Sequence, residues 1–450
     1  MMTSTATATR LRDLGQPDHL EAPEWLAQAR ASAFSWLAEH GFPTQKNEDW
    51  KYLRLGPILD SEFRPGTLGS DLASETLAKL VPDLGGTRLV FVNGHLHADL
   101  STIPGDAEGL TIASGTSLMT AQSKPPPAFF DDGDHQPLDG FAALNVGLAN
   151  DGAFIVIAAG VTVEQPIQIV YCSTEDHEPM MSTTRTCVAA EPGSRAVIVE
   201  THVGNGTEPS FANTVTRIRL GQGAHVEHHM IQNTAPAAVQ FGVLDVTQAT
   251  DSRFSSNAYS LGASTARHEV RVRLEGEAAD VTLAGLYLPS GRQHHDNPVT
   301  IEHVAPRCTS RQIYNGVLDE QGHGVFNGRI IVQPSANGTD AAQSNRNLVL
   351  SDRAEIDTRP RLEILTDDVT CAHGATVGQL DEDAIYYLRT RGIPESSARA
   401  MLTTAFANEI VQRIDNVTLR SWVEHLVSQR LNASTRPAAG PDTDLPGIAS

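Results

Sequence analysis

Apolar and polar residues follow two different periods along this chain, and the changes of period mark out its parts. From Pro23 to Phe42, Trp25, Leu26, Ala29, Ala33, Trp36 and Leu37 recur at helical spacing, with Pro23 placed to start the helix and Gly41 to stop it. A second helix is expected from Asp71 to Leu80. LVFVNGHL, Leu89 to Leu96, reads as two short strands around an Asn-Gly turn. Lys124 to Gly140 carries three consecutive prolines and several acids, which predicts a surface connection. From Leu144 to Val369 only the strand period is present, in runs such as AFIVIAAGVTVEQPIQIVY, TVTRIRLGQGAHVEHHMI and EVRVRLEGEAADVTLAGLYL. Breaks at Glu191, Gly221, Glu275, Asp319 and Ser351 each follow one strand and precede another. Their intervals of roughly 25 to 55 residues suit one or two coils of a β-solenoid. No helical pattern lies between them, so a doubly wound α/β fold, whose parallel pairs need helical crossovers, is disfavoured, while a β-sandwich still fits. Beyond residue 370 the helical period returns. GQLDEDAIYYLRTRG has an Asp at its start and Gly392 at its end. Ala398, Met401, Leu402, Ala405, Phe406 and Ile410 then form one stripe, and Leu419 to Leu431 predicts a last helix.

The organisation expected is therefore a helical region over 1–88, a β core over 89–369, a helical domain over 370–432 and a disordered tail over 433–450. The start, Met1 to about Thr9, is small and polar and is expected to be disordered. With 450 residues and 40% hydrophobic residues the chain can bury a large core, yet aromatics are only 5%, which favours stacked short strands over a helical bundle. The net charge of −21 argues against a nucleic-acid partner, because phosphate binding relies on clustered Lys and Arg. Four cysteines, Cys172, Cys187, Cys308 and Cys371, form no CxxC pair, so a reducing cytoplasm fits better than secretion. No run is long and apolar enough to predict a membrane span or a targeting segment.

Candidate chemistry concentrates in DDVTCAHGATVG, Asp367 to Gly378. If Thr370 to His373 is extended, Cys371 and His373 share one face of a strand, a soft and a borderline metal ligand within reach of one ion. Two ligands are half a site, since zinc and iron–sulfur centres usually take four; the bland alternative is a buried thiol beside a satisfied histidine. HVEHHM places His225, Glu227 and His229 on one strand face and His228 on the other, and RQHHD offers His294, His295 and Asp296 in a loop. Both read first as partly exposed polar faces. There is no GxxxxGK[ST] loop, GxSxG elbow or HExxH helix. Asp367 and Asp368 raise a carbohydrate-active β-helix enzyme as an alternative, against which stands the scarcity of rings to line a sugar groove.

The order of parts from Leu362 to Ile410 carries a resemblance. Acidic Asp367 and Asp368, the Cys371, His373, Gly374, Thr376 turn, Tyr386 and Tyr387, the Arg391-Gly392-Ile393 step, and Ala405-Phe406 follow one another over about fifty residues, far longer than a chance motif. This series, with NEDWKYLRL at Asn47 to Leu55, resembles the SufB and SufD family of iron–sulfur cluster assembly scaffolds. The strands NRNLVLSDRAEIDTRPRLEIL contain no Cys, which places the likeness on the SufD branch. The resemblance implies a mainly β fold, a right-handed parallel β-helix flanked by N-terminal and C-terminal helical regions. It implies a non-enzymatic subunit that pairs with SufB through the β-helix and docks the ATPase SufC on its C-terminal helices, with Ile393, Leu402, Phe406, Glu409 and Ile410 as candidate docking residues. Cys371 and His373 would then be ligands to iron or an iron–sulfur cluster shared with SufB, with no cofactor held stably by the chain alone. A self-dimer of the isolated chain is a further expectation.

Overall fold

The computed structural model describes residues 23–67, 72–104, 109–120, 139–174, 179–204 and 206–434. The start expected to be disordered, residues 435–450 of the expected tail and most of the proline-rich connection lie outside the described residues, while residues 433 and 434 end the last helix.

Between Arg88 and Gly378 nineteen short apolar-alternating strands stack into two sheets, and Arg64–Pro65 makes each a sheet of ten. From Asp151–Ile157 onward consecutive strands alternate between the sheets. From Met180 onward every strand pairs in parallel with the strand two places along, so partner residues lie from 26 positions (Val239 to Thr265) to 32 positions (His323 to Glu355) apart. This is the coil period that the turn signals suggested, and the chain forms a β-solenoid of about seven turns. Left-handed residues make the corners: Asp251, Ala278, Arg307 and Glu320 all have φ near +57°, at 56–58°, each just after a strand. At the start, Arg88–Val92 and His95–Leu96 form the expected hairpin, with Asn93 (φ 52°) and Gly94 (φ 91°) supplying the turn.

Period-two alternation sends every second side chain into the lumen. One side of the lumen is filled by Ile198, Val226, Leu244, Val246, Phe254, Val272, Val281, Ile301 and Ile330, all at most 1% exposed. Each such side chain contributes about 1.5–3 kcal/mol by leaving water. The other side of the lumen is polar, with Glu200, His202, His228, Ser256, His268, Gln312, Gln343 and Asn345 all buried.

The outer faces of the two sheets are covered by different helical regions. On one sheet, Leu37, Phe42, Trp50, Leu53, Phe63, Phe141 and Leu144 pack with Phe211 and Phe241. The helix Glu24–His40 begins after Pro23 and ends at Gly41 (φ 71°), as its sequence signals require. Helix Gly140–Leu148 lies beneath it, capped by the Asp139 carboxylate, which accepts from the Phe141 and Ala142 amides. Leu144 therefore belongs to a helix, where the alternation alone placed the first strand: the helix is apolar all round because both its faces are covered. On the other sheet, the helices Glu382–Thr390, Glu395–Val411 and Val417–Ser434 follow the last strand, and Ile410, Val411, Ile414, Leu419, Val423 and Val427 pack with Val199, Ile231, Tyr259 and Leu286. The β region does not stop at residue 369. Val369–Gly378 is a further parallel strand, in register with Thr339–Leu348, so the helical domain starts at Glu382.

Candidate functional site

Val369–Gly378 and Glu355–Ile364 are the edge strands at the C-terminal end of the solenoid, each paired on one side only. Their free edges carry backbone N–H and C=O groups without ladder partners, and Ile364 (40%), Leu365 (58%) and Val377 (52%) are exposed beside them. Cys371 and His373 lie on this last rung. Cys371 pairs in register with Ala341 and packs against the lumen cluster, so position 371 faces inward. By alternation His373 shares that side, in register with buried Gln343. Cys371 is half-buried and His373 exposed, because no further rung covers them.

Burial pushes the Cys371 thiol up, with nearby Asp340 adding to the shift. Among the described residues no three His, Cys, Asp or Glu side chains converge on a point that could hold a metal ion. What this chain presents is a thiol and an imidazole two residues apart on an open edge.

The other histidine-rich segments are structural. The faces of HVEHHM divide as expected, and His225 and Glu227 are partly exposed, but His228 and His229 are not. Outward-facing His229 is fully buried, with Nε2 2.7 Å from Glu227 Oε1, and His228 lies in the lumen. His228 Nε2 is 3.2 Å from Glu200 Oε2 and its Nδ1 is 3.0 Å from Ser256 Oγ, while the Thr216 hydroxyl donates to the Glu200 carboxylate at 2.9 Å. The order Ser256, His228, Glu200 has the connectivity of a hydrolase triad, yet all three are at most 3% exposed. RQHHD is not a loop: His294, His295 and Asp296 open the strand His294–His303. There His295 Nε2 lies 2.9 Å from the Gly262 carbonyl, Asp296 pairs with Arg267 and His294 packs edge-on against His323. Asp367 and Asp368 occupy an exposed bend before the last strand.

The candidate docking residues divide between inside and outside. Ile410 is 1% exposed and its carbonyl accepts from the Tyr259 hydroxyl at 3.2 Å, so its side chain belongs to the junction with the solenoid. Phe406 is half-buried beneath Arg346, and its carbonyl accepts from Asn315 Nδ2 at 3.2 Å. Glu409 is exposed but pairs with Arg346 at 2.6 Å. Ile393 and Leu402 are half-buried. Among the described residues, the large apolar groups that the helices leave open are Tyr386 (69%), Val417 (64%), Tyr387 (58%) and Met401 (51%). Helical periodicity placed Ala398 and Ile410 on the covered side, but Met401 and Ala405 of the same stripe are exposed, and the buried side also takes Thr403, Ala407 and Val411.

Comparison with known proteins decides the family. Residues 171–406 match the description "SUF system FeS cluster assembly, SufBD core domain", and residues 18–169 match "SufBD protein N-terminal region". The chain belongs to the SufBD family. Relatives include an iron–sulfur cluster assembly SufBD family protein of Synechocystis, 31% identical over 90% of this chain and 91% of that protein. Another is the iron–sulfur cluster assembly protein SufD of Escherichia coli, 30% identical over 89% and 92%. SufD of Bacillus subtilis is 26% identical over 64% and 65%. The likeness is thus greatest on the SufD side, and the carbohydrate-enzyme alternative is not favoured. The SufBD core begins at Tyr171, within the second sheet's strand Ile167–Ser173. No helix among the described residues is long and apolar enough to cross a membrane.

One signal was missed in the sequence. His228, Ser256, Leu283, Gln312, Gln343 and His373 are successive register partners, one per coil, and form a single file along the lumen. Once a coil period near 29 residues is accepted, that file is readable from spacing alone; without the register it is not.

Proposed function

We propose that this chain is the SufD-type, non-catalytic subunit of a cluster assembly complex, and that Cys371 and His373 are its contribution to a site completed by SufB. The observation that carries this reading is the position of the pair on an edge strand with an unpaired backbone. A strand-bearing partner that adds to this edge brings its own ligands beside them, and β-augmentation is the natural way to satisfy the free N–H and C=O groups. The iron–sulfur cluster is cargo assembled at that junction. The C-terminal helices, whose inner stripe is spent on the solenoid, would receive SufC on the outer face marked by Tyr386, Tyr387 and Met401. ATP hydrolysis then belongs to SufC, and its motion reaches the cluster edge through helices that follow directly on the Cys371 strand.

The test is co-purification of the full chain with its SUF partners, with iron and sulfide measured on the complex. His373→Ala removes a ligand from an exposed rung and little packing, so the complex should form while its cluster content falls severalfold. Unchanged iron and sulfide in that variant complex would remove the ligand role.

A further inference from the structure

We propose that Gln343 is the positioning residue for His373, accepting one ring N–H so that the other ring nitrogen is presented outward as a ligand. The inference rests on the reading of His373 as a ligand and concerns a residue with no role in that reading. Gln343 is 4% exposed and sits one rung below His373 on the same inward side. Paired strands lie about 4.8 Å apart, within reach of two extended side chains. Its amide is fixed from below: Nε2 donates to Gln312 Oε1 at 2.7 Å. Space for it is provided by the facing sheet, where a Cβ on Gly328 would come within 2.1 Å of Gln343 Nε2 and 2.9 Å of its Cδ. With the nitrogen committed, Gln343 Oε1 is left buried without a hydrogen-bond partner.

Leaving a buried amide oxygen without a donor is costly, so such an atom favours the approach of a donor. The rung above offers one ring donor in the file, His373. Gln312 Nε2 is likewise unpartnered, so the two glutamines form a polarised pair whose free acceptor lies at the His373 end. Metal-ligating histidines almost always donate their second ring N–H to an acceptor of this kind, which fixes the tautomer and the ring plane. Gln343 would do this before any metal arrives, and an exposed ring would then be ordered for coordination without the cost of freezing it later.

The test uses the isolated full-length chain, with ring nitrogens labelled and His373 assigned by its loss in His373→Ala. At a pH well above the ordinary histidine range, the unmodified protein should show His373 as one dominant tautomer. Gln343→Met, close in shape but with no acceptor, should give averaged signals of two tautomers, and Gln343→Glu, which keeps an acceptor, should restore the single form. A freely averaging His373 in the unmodified protein overturns the proposal, and that arm does not depend on any position-343 variant folding. Identical His373 signals in the unmodified chain and in Gln343→Met overturn it too. Neither reading involves iron, so a Gln343 result stands whether or not His373→Ala changes the cluster content of the complex.

Discussion

The guanidinium carbon of Arg267 lies 3.8 Å from the centroid of the Trp50 ring, joining the outer face of the solenoid to the N-terminal segment. Arg267 is nearly fully buried and does four things at once. It stacks on Trp50, donates to the Asp49 carbonyl at 2.9 Å, pairs with Glu269 at 2.9 Å and pairs with Asp296. Replacing it by methionine preserves the volume but strips the cation from two buried carboxylates, a loss of about 3–5 kcal/mol. Arg267→Met should therefore lower the denaturation midpoint and open cleavage sites near Asn47 to Leu55 in limited proteolysis. An unchanged midpoint would show that Arg271, already paired with Glu269, carries the cluster alone.

Acid should loosen the lumen through its neutral histidines. Burial holds His202 at about 4 and His268 at about 3, against about 6.5 in an unfolded chain. Between those values the unfolded state binds the extra protons, so this contribution to stability is complete above about pH 6.5 and is lost as pH falls toward 4. Asp139 and Asp296, raised mainly by burial, work in the opposite sense at lower pH. The histidine share is isolated by His268→Gln: stability plotted against pH should be flatter than in the parent by about one proton between pH 6.5 and 4. Parallel curves would mean that His268 does not stay neutral in the folded chain.

A scaffold without a phosphate-cradling loop should not bind nucleotide. Calorimetric titration of the chain with Mg-ATP is expected to give no saturable heat, since no glycine-rich loop with its lysine occurs in the sequence. Micromolar binding would overturn the non-catalytic reading.

How much of this was legible in the sequence follows from which interactions are local. Helix ends were readable because Pro23, Gly41, Asp381 and Gly392 act on their own backbone. The Asn93-Gly94 hairpin was readable for the same reason. Coil spacing was readable because every turn of the solenoid needs a corner. The fate of His228, His229 and His295 was not, because alternation gives a face but not what covers it; one meets Glu200 in the lumen, another Glu227 outside it. Ile410 was misjudged in the same way. Its stripe is apolar whether it meets a partner or the Tyr259 face, and only tertiary packing distinguishes the two. Cys371 and His373 were legible as a pair, but their place on a free edge came from the register of the strand beneath them.

The C-terminal helices supply the last prediction, because the structure separates two roles that the sequence left merged. Glu409 sits on the exposed side of Glu395–Val411 and bonds Arg346 at 2.6 Å, with Asn315 Nδ2 at 3.4 Å. Both partners belong to the solenoid. Glu409→Lys would thus set a lysine beside Arg346, a like-charge contact at the domain junction. For a half-exposed pair screened by water this should cost only about 0.2–1 kcal/mol of stability. Met401→Glu changes a side chain that is 51% exposed and should leave stability unchanged. If the outer face docks SufC, Met401→Glu should lower capture of SufC about tenfold or more, since a charge buried in the apolar centre of an interface is costly. Glu409→Lys should then have the smaller effect. Pull-down of SufC and of SufB with each variant gives the answer. SufC captured equally by Met401→Glu and the parent would place the dock elsewhere. Loss of SufB with Glu409→Lys would show instead that the helices and the cluster edge are coupled through Arg346, whose strand lies directly beneath the rung that bears His373.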